Sequence, residues 1–154
     1  MRTIHEWFAE YGESHQNPTN KLVHWFCVPV IFFSVIALLR SIPVVFMETP
    51  FRVDIAVIVA FLAMLFYLRL SARIFLGMLF FTTFCMVTTA WLRGHAPWPL
   101  WAIGLGLFVL AWIGQFWGHK VEGRKPSFLK DLQFLLIGPA WLLGDLYRKF
   151  GVAY

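Results

Sequence analysis

Four stretches of this sequence are apolar and free of Lys, Arg, Asp and Glu over roughly the length that a helix needs to cross a membrane. A hydrocarbon core of about 30 Å requires roughly 20 apolar residues of helix. In chain order the stretches are Leu22–Leu39, Ile55–Leu68, Ile74–Leu92 and Gly94–His119. The second is short, and it spans only if Arg69 snorkels or the bilayer thins locally. We predict an all-α, polytopic transmembrane helix bundle with about four spanning helices, forming a single integral membrane domain over residues 1–154.

The composition agrees with a lipid environment, since 60% of the 154 residues are hydrophobic and only 14% are charged. The first 21 residues lack the basic and apolar regions of a cleaved signal peptide, so we expect the N-terminus to be retained. Cys27 and Cys85 fall inside apolar stretches, where a thiol usually behaves as a small hydrophobe. The cysteines therefore predict neither a disulfide framework nor a metal cluster.

Two shorter elements flank the predicted spans. Residues 3–14 form a predicted surface helix, because Trp7, Phe8 and Tyr11 are grouped at helical spacing. Near the C-terminus, the apolar segment Leu132–Leu143 is interrupted by Gly138-Pro139, which indicates an interfacial or re-entrant helix pair.

The basic residues are divided unevenly between the two sides of this predicted bundle. Four spans place both termini and the Arg69/Arg73 loop on one side, and only three of the 13 Lys and Arg residues fall on the other. Those three are Arg40, Arg52 and Arg93. This positive-inside bias predicts that both termini are cytoplasmic, in the cytoplasmic membrane if the protein is bacterial and in the endoplasmic reticulum if it is eukaryotic. The bases form no continuous polar face, so we expect no nucleic-acid partner.

The five histidines are divided in the same way. Four of them (His5, His15, His24 and His119) lie on the predicted cytoplasmic side, and His95 lies opposite. His24 sits at the cytoplasmic end of the first span and His119 at the cytoplasmic end of the last. Residues far apart in sequence therefore reach one depth in the membrane.

His15 can join this pair because a helix start separates it from His24. In one continuous helix, residues nine positions apart would point to opposite faces. Asn17-Pro18 is a helix-start signal, with Asn capping and Pro at the first helical position. His15 then lies in the preceding turn and can fold back, so His15, His24 and His119 form a candidate metal site.

Several polar residues accompany the three histidines. Glu122 shares a helix face with His119 if that helix continues, as a ligand or as a partner of one. Asn17, Asn20 and Gln115 can accept hydrogen bonds that orient the rings. Imidazole suits iron, zinc or copper, so the residues leave the metal open. The alternative is that these histidines and asparagines only form hydrogen bonds at helix ends.

Other chemistries receive less support from the sequence. No Gly-rich phosphate loop follows a strand, and no Ser or Cys has a recognisable nucleophile setting. A di-iron hydroxylase of the histidine-box kind needs more histidines than the five present. A single metal ion is the more economical hypothesis.

The residues around these histidines resemble a known family, the iron(II)-dependent 2-hydroxy fatty acid dioxygenases of the 2-hydroxypalmitate type. The first block runs from Tyr11 to Pro29 and reads Y-x-x-x-H-x-N-P-x-N-x-x-x-H-x-x-x-x-P. The second runs from Gln115 to Pro126 and reads Q-F-W-G-H-K-V-E-G-R-K-P. The likeness continues over Leu129–Pro139, whereas the intervening spans match in hydropathy only. Some members have a second His beside the first, and this chain has Gln16 there.

The resemblance implies an enzyme that shortens a 2-hydroxy fatty acid by one carbon with O2 in fatty acid α-oxidation. It implies that His15, His24 and His119 hold Fe(II), and that Glu122 belongs to the catalytic set. The substrate would then lie among polar residues of the two blocks and membrane lipid would surround the bundle. Those residues are Asn17, Asn20, Gln115, Arg124 and Lys125, of which the last two are better explained as positive-inside anchors.

Two other functions are compatible with the same residues. One is a non-catalytic membrane protein that organises lipids or partner helices. The other is haem ligation by two histidines.

Overall fold

The computed structural model describes residues 2–48, 52–123 and 134–154. This part of the chain is a helix bundle with one short antiparallel hairpin. The helices are α1 (Ile4–Gly12), α2 (Pro18–Ser41), α3 (Ile55–Leu70), α4 (Ala72–His95), α5 (Leu100–Glu122) and α6 (Ile137–Lys149); the hairpin pairs β1 (Val45–Met47) with β2 (Val53–Asp54). The predicted all-α fold is confirmed.

Three of these helices are long and apolar enough to cross a membrane. They are α2 and α4, with 24 residues each, and α5, with 23. At 1.5 Å per residue each is about 35 Å long, more than the hydrocarbon core requires. Helix α3 has 16 residues and is about 24 Å long. The structure thus indicates a membrane protein, while the fourth span stays a prediction.

One predicted boundary is wrong. The last span was expected to start at Gly94, but α4 continues to His95 and α5 begins at Leu100. Pro97 and Pro99 lie between them. Proline has no N–H to donate and disfavours helical geometry at the residue before it, so this segment becomes the connection between two helices.

Helix α1 begins with a capping box, in which the Thr3 hydroxyl accepts from the Glu6 N–H and the Glu6 carboxylate accepts from the Thr3 N–H. Its buried face consists of Ile4, Phe8 and Tyr11. This face packs against α6. The predicted surface helix exists, but its apolar face is covered by protein.

The C-terminal segment differs from the predicted helix pair within the described residues. Gly138 and Pro139 lie in the first turn of α6 and do not separate two helices. Proline fits there because the first N–H groups of a helix have no partner inside it. The start of α6 is buried, and Leu136 just before it accepts a 2.7 Å hydrogen bond from the Tyr67 hydroxyl of α3. Helix α6 therefore begins among the other helices, as a re-entrant element would.

Helices α2 and α5 form the most extensive contact in the bundle. Two glycines of α5 permit it. A Cβ at Gly114 would lie 2.6 Å from the Cys27 Sγ, and one at Gly118 would lie 2.5 Å from the Asn20 Oδ1. The spacing Gly114-x-x-x-Gly118 places both glycines on the face of α5 that meets α2, where they allow the two helices to approach closely.

One buried carboxylate lies among the three basic residues of the predicted non-cytoplasmic side, which are Arg40, Arg52 and Arg93. Asp54 is fully buried; its carboxylate lies 3.3 Å from the Arg40 Nε and 3.4 Å from the Arg52 Nε, and it also caps α3. Arg40 donates further to the Met86 carbonyl, and Arg93 donates to the Arg40 carbonyl. This cluster joins the far ends of α2, α3 and α4.

We predict that Asp54→Asn lowers the free energy of unfolding in detergent by about 3 kcal/mol, because it leaves the buried Arg40 without its counter-charge. Glu48→Gln is the matched control, since Glu48 pairs with Arg52 at the exposed surface and should contribute less than about 1 kcal/mol. Equal losses in the two variants would contradict a buried ion pair.

Candidate metal centre

Three histidines from three separate elements meet at one end of the bundle. His15 lies in the turn between α1 and α2, His24 in the second turn of α2, and His119 near the end of α5. The ring centroids are 4.2 Å apart for His15 and His24, 5.1 Å for His24 and His119, and 5.6 Å for His15 and His119. One nitrogen from each ring lies within 4.8 Å of the others. All three rings are buried, so this triad has the donor atoms and the spacing to hold a metal ion.

Backbone carbonyls fix the protonation of two of the rings. The His15 Nδ1 lies 2.6 Å from the Tyr11 carbonyl oxygen, and the His24 Nδ1 lies 2.9 Å from the Asn20 carbonyl oxygen. A carbonyl can only accept, so each Nδ1 carries the proton and each Nε2 keeps its lone pair. Among the described residues, the buried His15 Nε2 has no hydrogen-bond partner. Burial also lowers the pKa of His15 to about 4, so this ring is neutral at pH 7.

Aromatic side chains enclose His15. Tyr11, one helical turn before it, stacks on the ring at 4.2 Å with an interplanar angle of 12°. Trp141 of α6 lies 5.7 Å from the same ring and 5.4 Å from Tyr11. These contacts use the buried faces of α1 and α6 to exclude water from one side of the triad.

Glu122 connects the end of α5 to the start of α2. Its carboxylate accepts from the Gln16 N–H at 2.8 Å, from the Asn17 N–H at 3.0 and 3.2 Å, and from the Asn20 amide at 3.0 Å. A carboxylate is favourable there because the first N–H groups of a helix are unpaired and the helix dipole is positive. Glu122 thus lies outside the group of mutually close metal-ligand atoms, and it holds the turn that carries His15.

Two asparagines complete this connection. Asn17 caps α2, its side chain accepting from the Thr19 N–H at 2.9 Å. Asn20 is fully buried and donates to Glu122 and to the Ser14 carbonyl, while its own carbonyl accepts from His24. The predicted helix start at Asn17-Pro18 is confirmed, and Asn20 ties the ring of His24 to Glu122.

A small cavity of about 30 Å³ lies beside His24, toward the interior of the bundle. Gln115, one turn before His119 on α5, lines it together with Val28 and Ile31 of α2. The turn before α6 contributes Leu135. A volume of this size accommodates a water molecule or a small polar group.

Known proteins resemble this chain over most of its length. A family model described as "2-hydroxy-palmitic acid dioxygenase Mpo1-like" matches residues 1–150. The chain belongs to this Mpo1-like family. A curated relative, 2-hydroxy-palmitic acid dioxygenase MPO1 of Saccharomyces cerevisiae, is 29% identical over 145 residues, which cover 92% of this chain and 78% of the relative. No solved structure matches the chain.

Membership of the Mpo1-like family confirms the resemblance seen in the two sequence blocks, and it supports a 2-hydroxy fatty acid dioxygenase role at the level of the family. The structure brings the predicted residues of both blocks together at one end of the bundle. The exceptions are Arg124 and Lys125, which lie outside the described residues and stay predictions. His5 stacks on Tyr154 and His95 on Trp91, so neither belongs to the triad.

Sequence reasoning missed two contributors to the site of this Mpo1-like chain. Tyr11 is the first residue of the first block, and its spacing of four residues from His15 could have indicated the ring contact. Trp141 carries no comparable signal in the sequence. Its approach to His15 depends on how α6 packs against α1, which only the tertiary structure shows.

We predict that Glu122→Gln lowers the free energy of unfolding in detergent by about 1–3 kcal/mol, because an amide cannot replace the charged acceptor of three N–H groups. Glu13→Gln is the matched control, since Glu13 is exposed near the same turn. If the two variants have the same free energy of unfolding, Glu122 does not stabilise the connection between α2 and α5.

Proposed function

We propose that this protein is an iron(II)-dependent dioxygenase that shortens 2-hydroxy fatty acids by one carbon. The observation that carries the proposal is the convergence of three buried histidines from α2, α5 and the turn before α2. Membership of the Mpo1-like family supplies the substrate class. The relative from Saccharomyces cerevisiae is named as a 2-hydroxy-palmitic acid dioxygenase.

The residues fit a metal ion such as Fe(II). His15 and His24 point their Nδ1–H groups at backbone carbonyls, which leaves the other nitrogen of each ring for the metal. His119 would supply the third ligand. When bound there, the ion would supply the redox chemistry that activates O2. Histidines that bind a metal usually donate their other ring N–H to a carbonyl or carboxylate, which fixes the orientation of the ring. Asn20 supplies such a carbonyl to His24, and Glu122 holds Asn20 through a further hydrogen bond.

The proposed reaction needs no reductant other than the substrate. One 2-hydroxy fatty acid and one O2 give the acid with one carbon fewer, CO2 and H2O. The bond between C1 and C2 breaks, C1 leaves as CO2, and C2 becomes the new carboxyl carbon. The organic substrate loses four electrons and O2 accepts four, so atoms and electrons balance.

The acyl tail would leave the triad along α2. A second cavity, of about 60 Å³, is lined by Phe32, Ile36 and Leu39 of α2 and by residues of α3 and α4. It shares Leu135 with the cavity beside His24. The distance along α2 from His24 to Leu39 is about 22 Å, comparable to a long extended acyl chain. In this arrangement the tail lies in the apolar interior and the carboxylate faces the triad.

The site would then open toward the cytoplasm. Helix α1, the turn between α3 and α4, and the end of α6 lie at the same end of the bundle, where Tyr147 donates to the Arg73 carbonyl and Arg73 donates to the Ala153 carbonyl. The opposite end holds the Asp54 cluster. By the positive-inside bias the first of these ends is cytoplasmic, and Arg124 and Lys125 would help to attract the substrate carboxylate there.

The proposal is tested by turnover of the purified protein, loaded anaerobically with Fe(II) and then given 2-hydroxyhexadecanoate and O2. We expect pentadecanoate as the product, and we expect His24→Ala to reduce turnover at least about 100-fold because it removes a metal ligand. His95→Ala is the control. His95 is the last residue of α4 and lies against Trp91, outside the triad, so this replacement should leave turnover unchanged.

Two outcomes would count against the proposal. Absence of pentadecanoate with the iron-loaded protein would remove the activity. Full turnover by His24→Ala would leave the activity but remove the triad as its site.

A further inference from the structure

Gln115 carries a buried hydrogen-bond acceptor without a partner among the described residues. The residue is 8% exposed, and its Oε1 accepts no hydrogen bond from the part of the chain that the structure describes. A buried amide oxygen that loses its hydrogen bond to water costs roughly 1–3 kcal/mol. Such an atom is retained most easily where a bound molecule supplies the missing donor.

The position of Gln115 indicates which molecule that is. Gln115 precedes His119 by four residues on α5, so the two side chains share one face of the helix and Gln115 lies about 6 Å deeper in the bundle. It lines the same cavity as His24. A 2-hydroxy fatty acid whose carboxylate lies at the triad can place the substituent of its second carbon in this cavity, whose volume of about 30 Å³ suits one small polar group.

The lining of the cavity favours one small polar group beside an apolar chain. Val28, Ile31 and Leu135 present apolar side chains, and Gln115 lines the cavity together with His24, Tyr11 and Trp112. Of the groups on a 2-hydroxy fatty acid, only the 2-hydroxyl is both next to the carboxylate and able to donate a hydrogen bond when the carboxylate is ionised.

We propose that the Gln115 side chain accepts a hydrogen bond from the 2-hydroxyl group of the substrate and thereby selects 2-hydroxy fatty acids over unsubstituted ones. This rests on the proposed function, because it takes the triad as the site of the carboxyl end. An unsubstituted acid has no hydroxyl to place in the cavity, so it supplies no donor to the Gln115 oxygen. Sites built to bond a hydroxyl reject analogues that lack it for this reason.

Equilibrium binding under anaerobic conditions tests the role of Gln115 without turnover. The affinities of 2-hydroxyhexadecanoate and hexadecanoate are measured for the iron-loaded protein and for two variants, Gln115→Met, which keeps the length of the side chain without its amide, and Gln115→Asn, which withdraws the acceptor by one carbon. We expect the wild type to prefer the hydroxylated acid by about tenfold or more. Both variants should lose most of that preference through weaker binding of the hydroxylated acid alone.

Ser34→Ala is the matched control. Ser34 is also a fully buried polar residue of the bundle, but its hydroxyl is bonded to the Ile31 carbonyl within α2. Its removal should leave the preference unchanged.

The outcomes separate this inference from the proposed function. If the Gln115 variants keep the wild-type preference, or if they lose affinity for both acids equally while iron content is normal, Gln115 does not recognise the hydroxyl. If the wild type binds neither acid, both the inference and the proposed function fail. If the wild type binds both acids equally, the inference alone is overturned.

Discussion

The candidate site depends on the close approach of α2 and α5. Two glycines of α5 allow the backbones to come together, and Asn20 of α2 occupies the space that a side chain at Gly118 would fill. The same pair of helices is joined at its end by Glu122, which accepts from the Gln16 and Asn17 N–H groups just before α2 and from the Asn20 amide. His24 and His119 face each other because the backbones of α2 and α5 approach closely. His15 joins them because the hydrogen bonds of Glu122 hold the turn that carries His15.

Polar groups are concentrated at both ends of this bundle, but the two ends differ in how those groups are paired. At the Asp54 end, the Arg40 guanidinium is bonded to a carboxylate, a carbonyl and a hydroxyl, which joins three helices. The buried Arg52 Nε forms no hydrogen bond among the described residues, but it lies 3.4 Å from the Asp54 carboxylate and so has a counter-charge. At the triad end, buried atoms of His15 and Gln115 have no hydrogen-bond partner among the described residues. Buried polar atoms are expensive to leave unpaired, so the triad end has the character of a binding site and the Asp54 end that of a structural connection.

Much of this arrangement could be predicted from the sequence, because a membrane restricts where polar residues can lie. The lengths of the apolar stretches gave the long helices, and the division of histidines between two sides brought His24 and His119 to one depth. The Asn17-Pro18 start then allowed His15 to reach them. The start of the last span was wrong because it was placed by hydropathy alone. The two prolines between α4 and α5 are a local signal that the helix starts later.

The remaining features arise from tertiary packing, which spacing does not encode. Arg40 was expected only as one of the few basic residues on the far side, and nothing in its neighbourhood in sequence shows that Asp54 neutralises it. Glu122 was expected as a ligand or as a partner of one, and only the structure shows it bonded to the start of α2. Trp141 reaches His15 through the packing of α6.

The most direct test of the account is iron X-ray absorption spectroscopy on the purified protein after anaerobic loading with Fe(II), combined with the iron content per chain. The account predicts one iron per chain with three imidazole ligands, and the loss of this signal when His15, His24 or His119 is replaced by Ala. An iron content that is unaffected by all three replacements, or a coordination shell without imidazole, would contradict a metal centre at this triad.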